Sequence, residues 1–240
     1  MPLDQETHAS VEGLNARFAG DDAAALQHVL DGGLGQAALV SSFGADSAVL
    51  LHLVAQHAPD TPVLFIDTLM LFDETLEYQQ RLARDLGLAD VRRLTPRREA
   101  LFARDPDGVL HLADPDACCT LRKTEVLDEA LVGIDVWITG RKRFQGGLRA
   151  DLALFEQDGA RIKLNPLAGW DTAQIAAYMD RHALPRHPLV ARGYPSIGCA
   201  PCTGPVAPGE DLRAGRWRGR DKLECGIHVR DGRVIRGNAA

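Results

Sequence analysis

Apolar residues in this chain fall into short unbroken runs that alternate with longer stretches of helical spacing. "QAALVSS" (36–42), "PVLFID" (62–67), "DVRRLT" (90–95) and "IDVWITG" (134–140) read as buried strands. Between and after them lie four helical stretches. "DSAVLLHLVAQH" (46–57) is apolar-rich, and "FDETLEYQQRLARDLG" (72–87) is amphipathic and stops at Gly87. The stretch 114–131 is predicted as one helix, with Asp114 as N-cap and Pro115 at its first position. "DTAQIAAYMDRH" (171–182) opens with an Asp-x-x-Gln capping box. Strands alternating with helices predict a doubly wound, mostly parallel α/β sheet covered on both faces. Ligands of such sheets bind beyond the carboxyl ends of the strands. There is no internal repeat. After "GCAPCTGP" the periodicity fades, so residues 1–204 are expected to form the α/β domain and 205–240 a loop-rich, mobile tail.

Composition narrows the chemistry. The 240 residues are 45% hydrophobic, enough for one sizeable core. Lys and Arg number 27 against 33 Asp and Glu, a net charge of −6 that argues against nucleic acid as the main partner. Basic residues nevertheless cluster locally. "RKRFQGGLR" (141–149) holds four positive charges and no negative one, and 210–240 holds eight against five. Such patches in an acidic protein suit a small anionic ligand. The start shows no secretory signal and no run is long enough to span a membrane, so a cytoplasmic location is expected. There, structural disulfides are rare, and five cysteines read as metal ligands or catalytic thiols.

Three stretches carry candidate chemistry. "SSFGADS" (41–47) joins a strand to a helix, and Ser42, Gly44 and Ser47 offer hydroxyls and close backbone approach at a helix N-terminus. By itself this stretch is as readily an ordinary strand-to-helix turn. The adjacent pair Cys118 and Cys119 is joined, 80 residues later, by Cys199 and Cys202 in "CAPC". Adjacent cysteines do not comfortably bond to each other. Four thiolates from two segments suit structural zinc or an iron–sulfur cluster, and the adjacent pair favours the larger cluster, since helical neighbours diverge by about 100°. Four inert buried cysteines are the plainer alternative. The fifth, Cys225 in "ECGIH" (224–228), sits in the basic tail beside Lys222 and His228, a setting that favours a nucleophilic thiolate.

Together these stretches resemble the assimilatory adenylyl-sulfate (APS) reductases, relatives of the PAPS reductases, over about residues 36–228. "SSFGADS" is similar to the family's modified PP-loop, "CCTLRK…IGCAPCT" to its [4Fe-4S] motif and "ECGIH" to its catalytic tail. "FIDTLMLFDETLEY" and "GLRAD" match in kind. The resemblance implies the adenine-nucleotide alpha-hydrolase fold and reduction of APS to sulfite and AMP, with thioredoxin as electron donor. It implies one [4Fe-4S] cluster on Cys118, Cys119, Cys199 and Cys202, and Cys225 as nucleophile. Substrate contacts are implied for Ser42, Gly44, Lys123, Gly140, Arg149, Arg213 and Arg216, with His228 in the closing tail. "RFQGGLR" is a residue shorter than the family pattern, which bears on Arg149. A homo-oligomer is compatible with all of this.

Rival readings share parts of the pattern. PAPS reduction differs only in the substrate's 3′-phosphate. A PP-loop tRNA-thiolating enzyme would share fold and cysteines, but its familiar loop reads SGGKDS, whereas here Ser42-Phe43-Gly44-Ala45-Asp46-Ser47 carries no lysine and a bulky Phe. Aromatic residues, at 5%, offer few platforms for RNA. A non-catalytic iron–sulfur sensor or zinc module would leave Cys225 and the cations without a role.

Overall fold

A six-stranded sheet of order β3-β2-β1-β4-β6-β5 forms the centre of the molecule. Its strands are β1 (Ala37–Val40), β2 (Val63–Ile66), β3 (Val91–Leu94), β4 (Val136–Thr139), β5 (Phe155–Asp158) and β6 (Arg161–Leu164). All pairings are parallel except that of β5 with β6. The computed structural model describes residues 10–220, 222, 224 and 226–228, with the backbone alone at Leu148 and His228.

The four strands expected from the apolar runs are present, each shorter than its run by two or three residues. Their burial explains why they were visible: every residue of β4 is buried, as is most of β2. A parallel strand covered on both faces has no polar side and so reads as an unbroken apolar run. Helix α3 (Ser47–His57) buries Ala48, Val49, Leu50, Leu51 and Val54. Each large aliphatic side chain removed from water in this way contributes about 1.5–3 kcal/mol. Helix α4 (Asp73–Asp85) turns Thr75, Tyr78 and Leu82 inward, and the chain leaves it through Gly87 at φ 66°. Helix α9 (Thr172–Arg181) has the expected capping box, with Asp171 and Gln174 bonded reciprocally.

Other elements lay outside the sequence reading. Helices α1 (Val11–Arg17) and α2 (Asp22–Leu30) add Leu14, Phe18, Leu26 and Val29 to the core. Short helices α5 (Arg98–Arg104) and α6 (Leu110–Ala113) fill the segment before the cysteine pair. The hairpin β5–β6 turns at Gly159-Ala160, between the paired Asp158 and Arg161, with Gly159 at φ 61°. Glycine at the first position of a two-residue loop is a hairpin signal.

The stretch expected as a single helix over 114–131 is instead three pieces. They are α7 (Pro115–Cys119), a π turn (Thr120–Thr124) and α8 (Glu125–Ala130). Asp114 caps α7 as expected, accepting from the amides of Asp116 and Ala117. Thr120 Oγ1 then donates to the carbonyl of Asp116 at 3.0 Å, and the amide of Glu125 reaches back five residues to Thr120. A side chain competing for a helical carbonyl, with a wide turn after it, marks a strained stretch of the kind often found at functional sites.

No helix among the described residues is long and apolar enough to cross a membrane.

Candidate active site

Strand order reverses between β1 and β4, and a cavity of about 210 Å³ opens at their carboxyl ends. One wall is the loop from β1 to α3, with Ser42 and Gly44. The Asp46 side chain makes no cap bond to α3, because its carboxylate meets Lys142 Nζ at 3.4 Å. At the start of α3 the amides of Ser47 and Val49 donate to the carbonyls of Gly44 and Asp46. The opposite wall is the loop after β4, with Gly140, Lys142 and Arg149. The rim is completed by Lys123 from the π turn, by Ile197 to Cys199, and by Arg213 and Arg216 from the tail.

Seven of the eight substrate residues expected from the sequence therefore line one cavity. The eighth, His228, has a described backbone only, and Cys225 lies outside the described residues. The charge run 141–149 divides on folding. Arg141 turns inward to Glu156, Asn165 and Thr139, and burial lowers its pKa. Lys142 is buried at the loop, and desolvation lowers its pKa while Asp46 opposes the change. The lysine missing from the loop's own sequence is thus supplied from β4's end. Its absence alone does not separate this loop from that of a pyrophosphatase. The Phe43 ring is fully buried against Phe65, ring centres 5.2 Å apart, and is not part of the cavity wall.

Arg216 is laid across Gly198, where an added Cβ would meet the guanidinium at 2.3 Å. Its Cζ stands 4.5 Å from the Trp217 ring centre, a cation–π contact, and Nη1 donates to the Ile197 carbonyl. Among the described residues its buried Nε has no hydrogen-bond partner. A buried donor without a partner on a cavity rim is poised for an acceptor from outside.

The four clustered cysteines converge from α7 and from 199–202. Burial pushes the Cys118 thiol up to about 11, and Cys119 and Cys199 add to the rise. Cys202 is raised by burial, then by Cys199, while Lys123 pulls it down. A straight helix would set Lys123 over Cys119, four residues back. The π turn intervenes; Lys123 lines the cavity and acts electrostatically on Cys202. Cys199 Sγ also lies 3.2 Å from Thr68 Oγ1.

Beneath this set runs a buried ion pair. Arg122 Nη2 meets Asp105 Oδ2 at 2.6 Å, with side chains 6% and 1% exposed, and Nη1 donates to the Thr68 carbonyl. Asp105 also accepts from the amide of Leu110. The pair ties the π turn to the loop after β2. Asp105→Ala strands a buried guanidinium and is expected to cost about 3–5 kcal/mol, read from the urea midpoint. A loss under about 1 kcal/mol, the size of an exposed pair, would contradict this account.

Comparison with known proteins agrees with this geometry. The crystal structure of the PAPS reductase from Candida auris, a phosphate complex, has the same fold: TM-score 0.69 at 24% identity, covering 86% of this chain and 99% of that one. The phosphoadenosine phosphosulfate reductase domain profile matches residues 36–205. The chain belongs to the PAPS reductase family.

Within that family it is 50% identical over 234 residues to the adenosine 5'-phosphosulfate reductase of Chelativorans sp. (strain BNC1), covering 95% of this chain and 94% of the relative. It is 54% identical over 192 residues to that of Mesorhizobium japonicum, covering 80% and 76%.

This PAPS reductase family member fastens its tail segment onto the cysteine-bearing elements. Gly204 and Gly215 pair through a 2.8 Å backbone bond, and the Trp217 amide donates to the Cys202 carbonyl at 3.0 Å. Trp217 itself is buried. Beyond it, Arg220 donates to the His111 carbonyl, and Lys222 to Asp116 and the Pro115 carbonyl in the first turn of α7.

Proposed function

We propose that this chain is an APS reductase, which cleaves adenylyl sulfate to AMP and sulfite with electrons from a dithiol protein of the thioredoxin type. The observation that carries this reading is the cavity at the β1/β4 reversal, where Lys123, Arg149, Arg213 and Arg216 converge with the loop of Ser42 and Gly44. The half-identical relative bearing that enzyme name supports it.

The reaction needs little more than charge and one thiolate. Cys225 Sγ attacks the sulfur of APS, an S–S bond forms, and the sulfur–oxygen bond to AMP breaks with its electron pair leaving on AMP. Negative charge builds on the bridging oxygen, so cations fixed beforehand are the largest source of acceleration. The result is an S-sulfocysteine at Cys225. A thiolate of the dithiol partner attacks Cys225 Sγ and sulfite departs with the S–S electron pair. The partner's second thiol then frees Cys225 and leaves the partner oxidised by two electrons. Residues from 205 onward act as the tail that carries Cys225 to the substrate and then to the partner.

The donor set fits a metal cluster. Four cysteines from two segments come together, and burial with neighbouring thiols raises the pKa of Cys118 and Cys202. Thiolates in such a place need a cation to balance them. Among the described residues no three His, Cys, Asp or Glu groups gather tightly enough for a single metal ion. A tetrahedral zinc draws sulfurs to about 2.3 Å from one centre, whereas a cubane spreads its ligands over four irons. Cys118, Cys119, Cys199 and Cys202 would hold the [4Fe-4S] cluster, which would supply a fixed charge distribution to the site.

Substrate preference gives a direct test. By resemblance, the four-cysteine set marks the APS branch. With thioredoxin as reductant, kcat/KM is expected to be at least tenfold higher for APS than for PAPS, about 1.4 kcal/mol of transition-state preference. A higher value for PAPS would reassign the substrate, and release of neither AMP from APS nor adenosine 3′,5′-bisphosphate from PAPS would reject the reading.

A further inference from the structure

The residue beside the nucleophile makes contacts that the reaction as written does not use. Glu224 is seated between two arginines of the cavity. Its carboxylate accepts from Arg149 Nε at 2.5 Å and Nη2 at 2.9 Å, and from Arg213 Nη2 at 3.2 Å. The side chain is 7% exposed, and Arg149 and Arg213, followed by Arg216, favour its ionised form against burial. Arg149 and Arg213 line the cavity; Glu224 is not part of its wall. The two guanidiniums thus present one side to the cavity and another to Glu224.

We propose that Glu224 is a positioning residue, whose clamp on Arg149 and Arg213 docks the tail so that the adjoining Cys225 is delivered to the substrate bound on the cavity side of the same arginines. The proposal rests on the reading of Cys225 as nucleophile. Neighbouring contacts fit a docked strap. Lys222 grips the first turn of α7, and Ile227 packs on the apolar group formed by Ala38, Leu64, Leu127, Leu131 and Trp137. Gly226 comes so close to the π turn that an added Cβ would stand 2.9 Å from Thr124 Oγ1. These are apolar and surface contacts. Glu224 supplies the bidentate charged bond, which fixes both distance and angle. It also reports occupancy: an anion that orders the arginines on one side orders the seat of Glu224 on the other, and such coupling is reciprocal.

The sign of the effect separates positioning from a general loss of structure. Glu224→Gln leaves Arg149 and Arg213 with more unbalanced charge, so APS binding holds or tightens, while delivery of Cys225 fails. In the iron-loaded full chain mixed with APS and no reductant, the rate of sulfonate appearance on Cys225 is expected to fall about 10²-fold, the size of a misplacement near 1 Å. APS affinity, measured by calorimetry in Cys225→Ser with and without Glu224→Gln, is expected to be unchanged or higher. Glu224→Asp keeps the charge on a shorter stem and should lose less. Should the Gln variant not fold, the Asp variant shows the same split at smaller size.

Adduct formation at the wild-type rate in Glu224→Gln overturns the proposal, as does parallel loss of affinity and rate. Faster reaction with tighter binding also overturns it, and would make Glu224 a competitor of the substrate. A wild type that forms no adduct under these conditions defeats the functional reading itself, and is recognised without any Glu224 variant.

Discussion

Cys225→Ser is expected to bind APS and retain its iron, yet form no covalent adduct and release no AMP. The argument is one of allocation. Of the five cysteines, Cys118, Cys119 and Cys199 are buried and Cys202 half-buried, and burial with neighbouring thiols opposes ionisation of Cys118 and Cys202. None of them is disposed to act as a free nucleophile. Cys225 is the thiol in the basic tail, one residue beyond the Glu224 clamp. Removing an attacking atom abolishes the step it performs, so the loss should reach the detection limit of the assay. The four other cysteines behave differently: serine at any of them should lower iron and sulfide content. Intact mass after mixing wild type with APS in the absence of reductant is the deciding measurement. Sulfonate mapped to another cysteine would refute the mechanism.

Lys123→Ala should keep the iron and lose at least about 10²-fold in kcat/KM, the size expected when one electrostatic partner of the transition state is removed. Lys123 lines the cavity and lowers the pKa of Cys202, so its ammonium lies within electrostatic reach of both. Alanine removes the charge without touching the thiols. A lysine serving only the surface would leave turnover nearly normal. Absorbance of the iron site measured beside turnover tells loss of charge from loss of metal.

Much of this arrangement was legible because it depends on patterns that the chain cannot hide. Strands buried on both faces read as apolar runs, and capped helices announce their ends with Asp114, Asp171 and Gly87. Seven of the residues that the family resemblance implied as substrate contacts line one cavity. What stayed hidden was non-local or irregular. The π turn follows from a threonine hydroxyl taking a helical carbonyl and from Arg122 reaching Asp105 and Thr68, none of which leaves a periodic trace. Lys142 was visible only as part of a charged run, and its partner Asp46 is 96 residues away. Glu224 stood in plain view inside "ECGIH", but its meaning depends on Arg149, 75 residues back. The hairpin at Gly159-Ala160 could have been found from its turn glycine.

Phe43 bears on how such a loop could have arisen. It holds φ 48°, in the left-handed region where a glycine is comfortable, while its ring is wholly enclosed beside Phe65. Changing it to glycine would relieve backbone strain of about 1–3 kcal/mol. It would also empty the space of a buried aromatic ring, a loss of about 3–5 kcal/mol. The exchange runs downhill in stability unless another side chain grows into the gap in the same step. Two kinds of PP-loop, glycine-rich and phenylalanine-plugged, are therefore separated by a valley that a lineage crosses with paired substitutions. A one-residue return to the glycine form is closed to this protein by its own core.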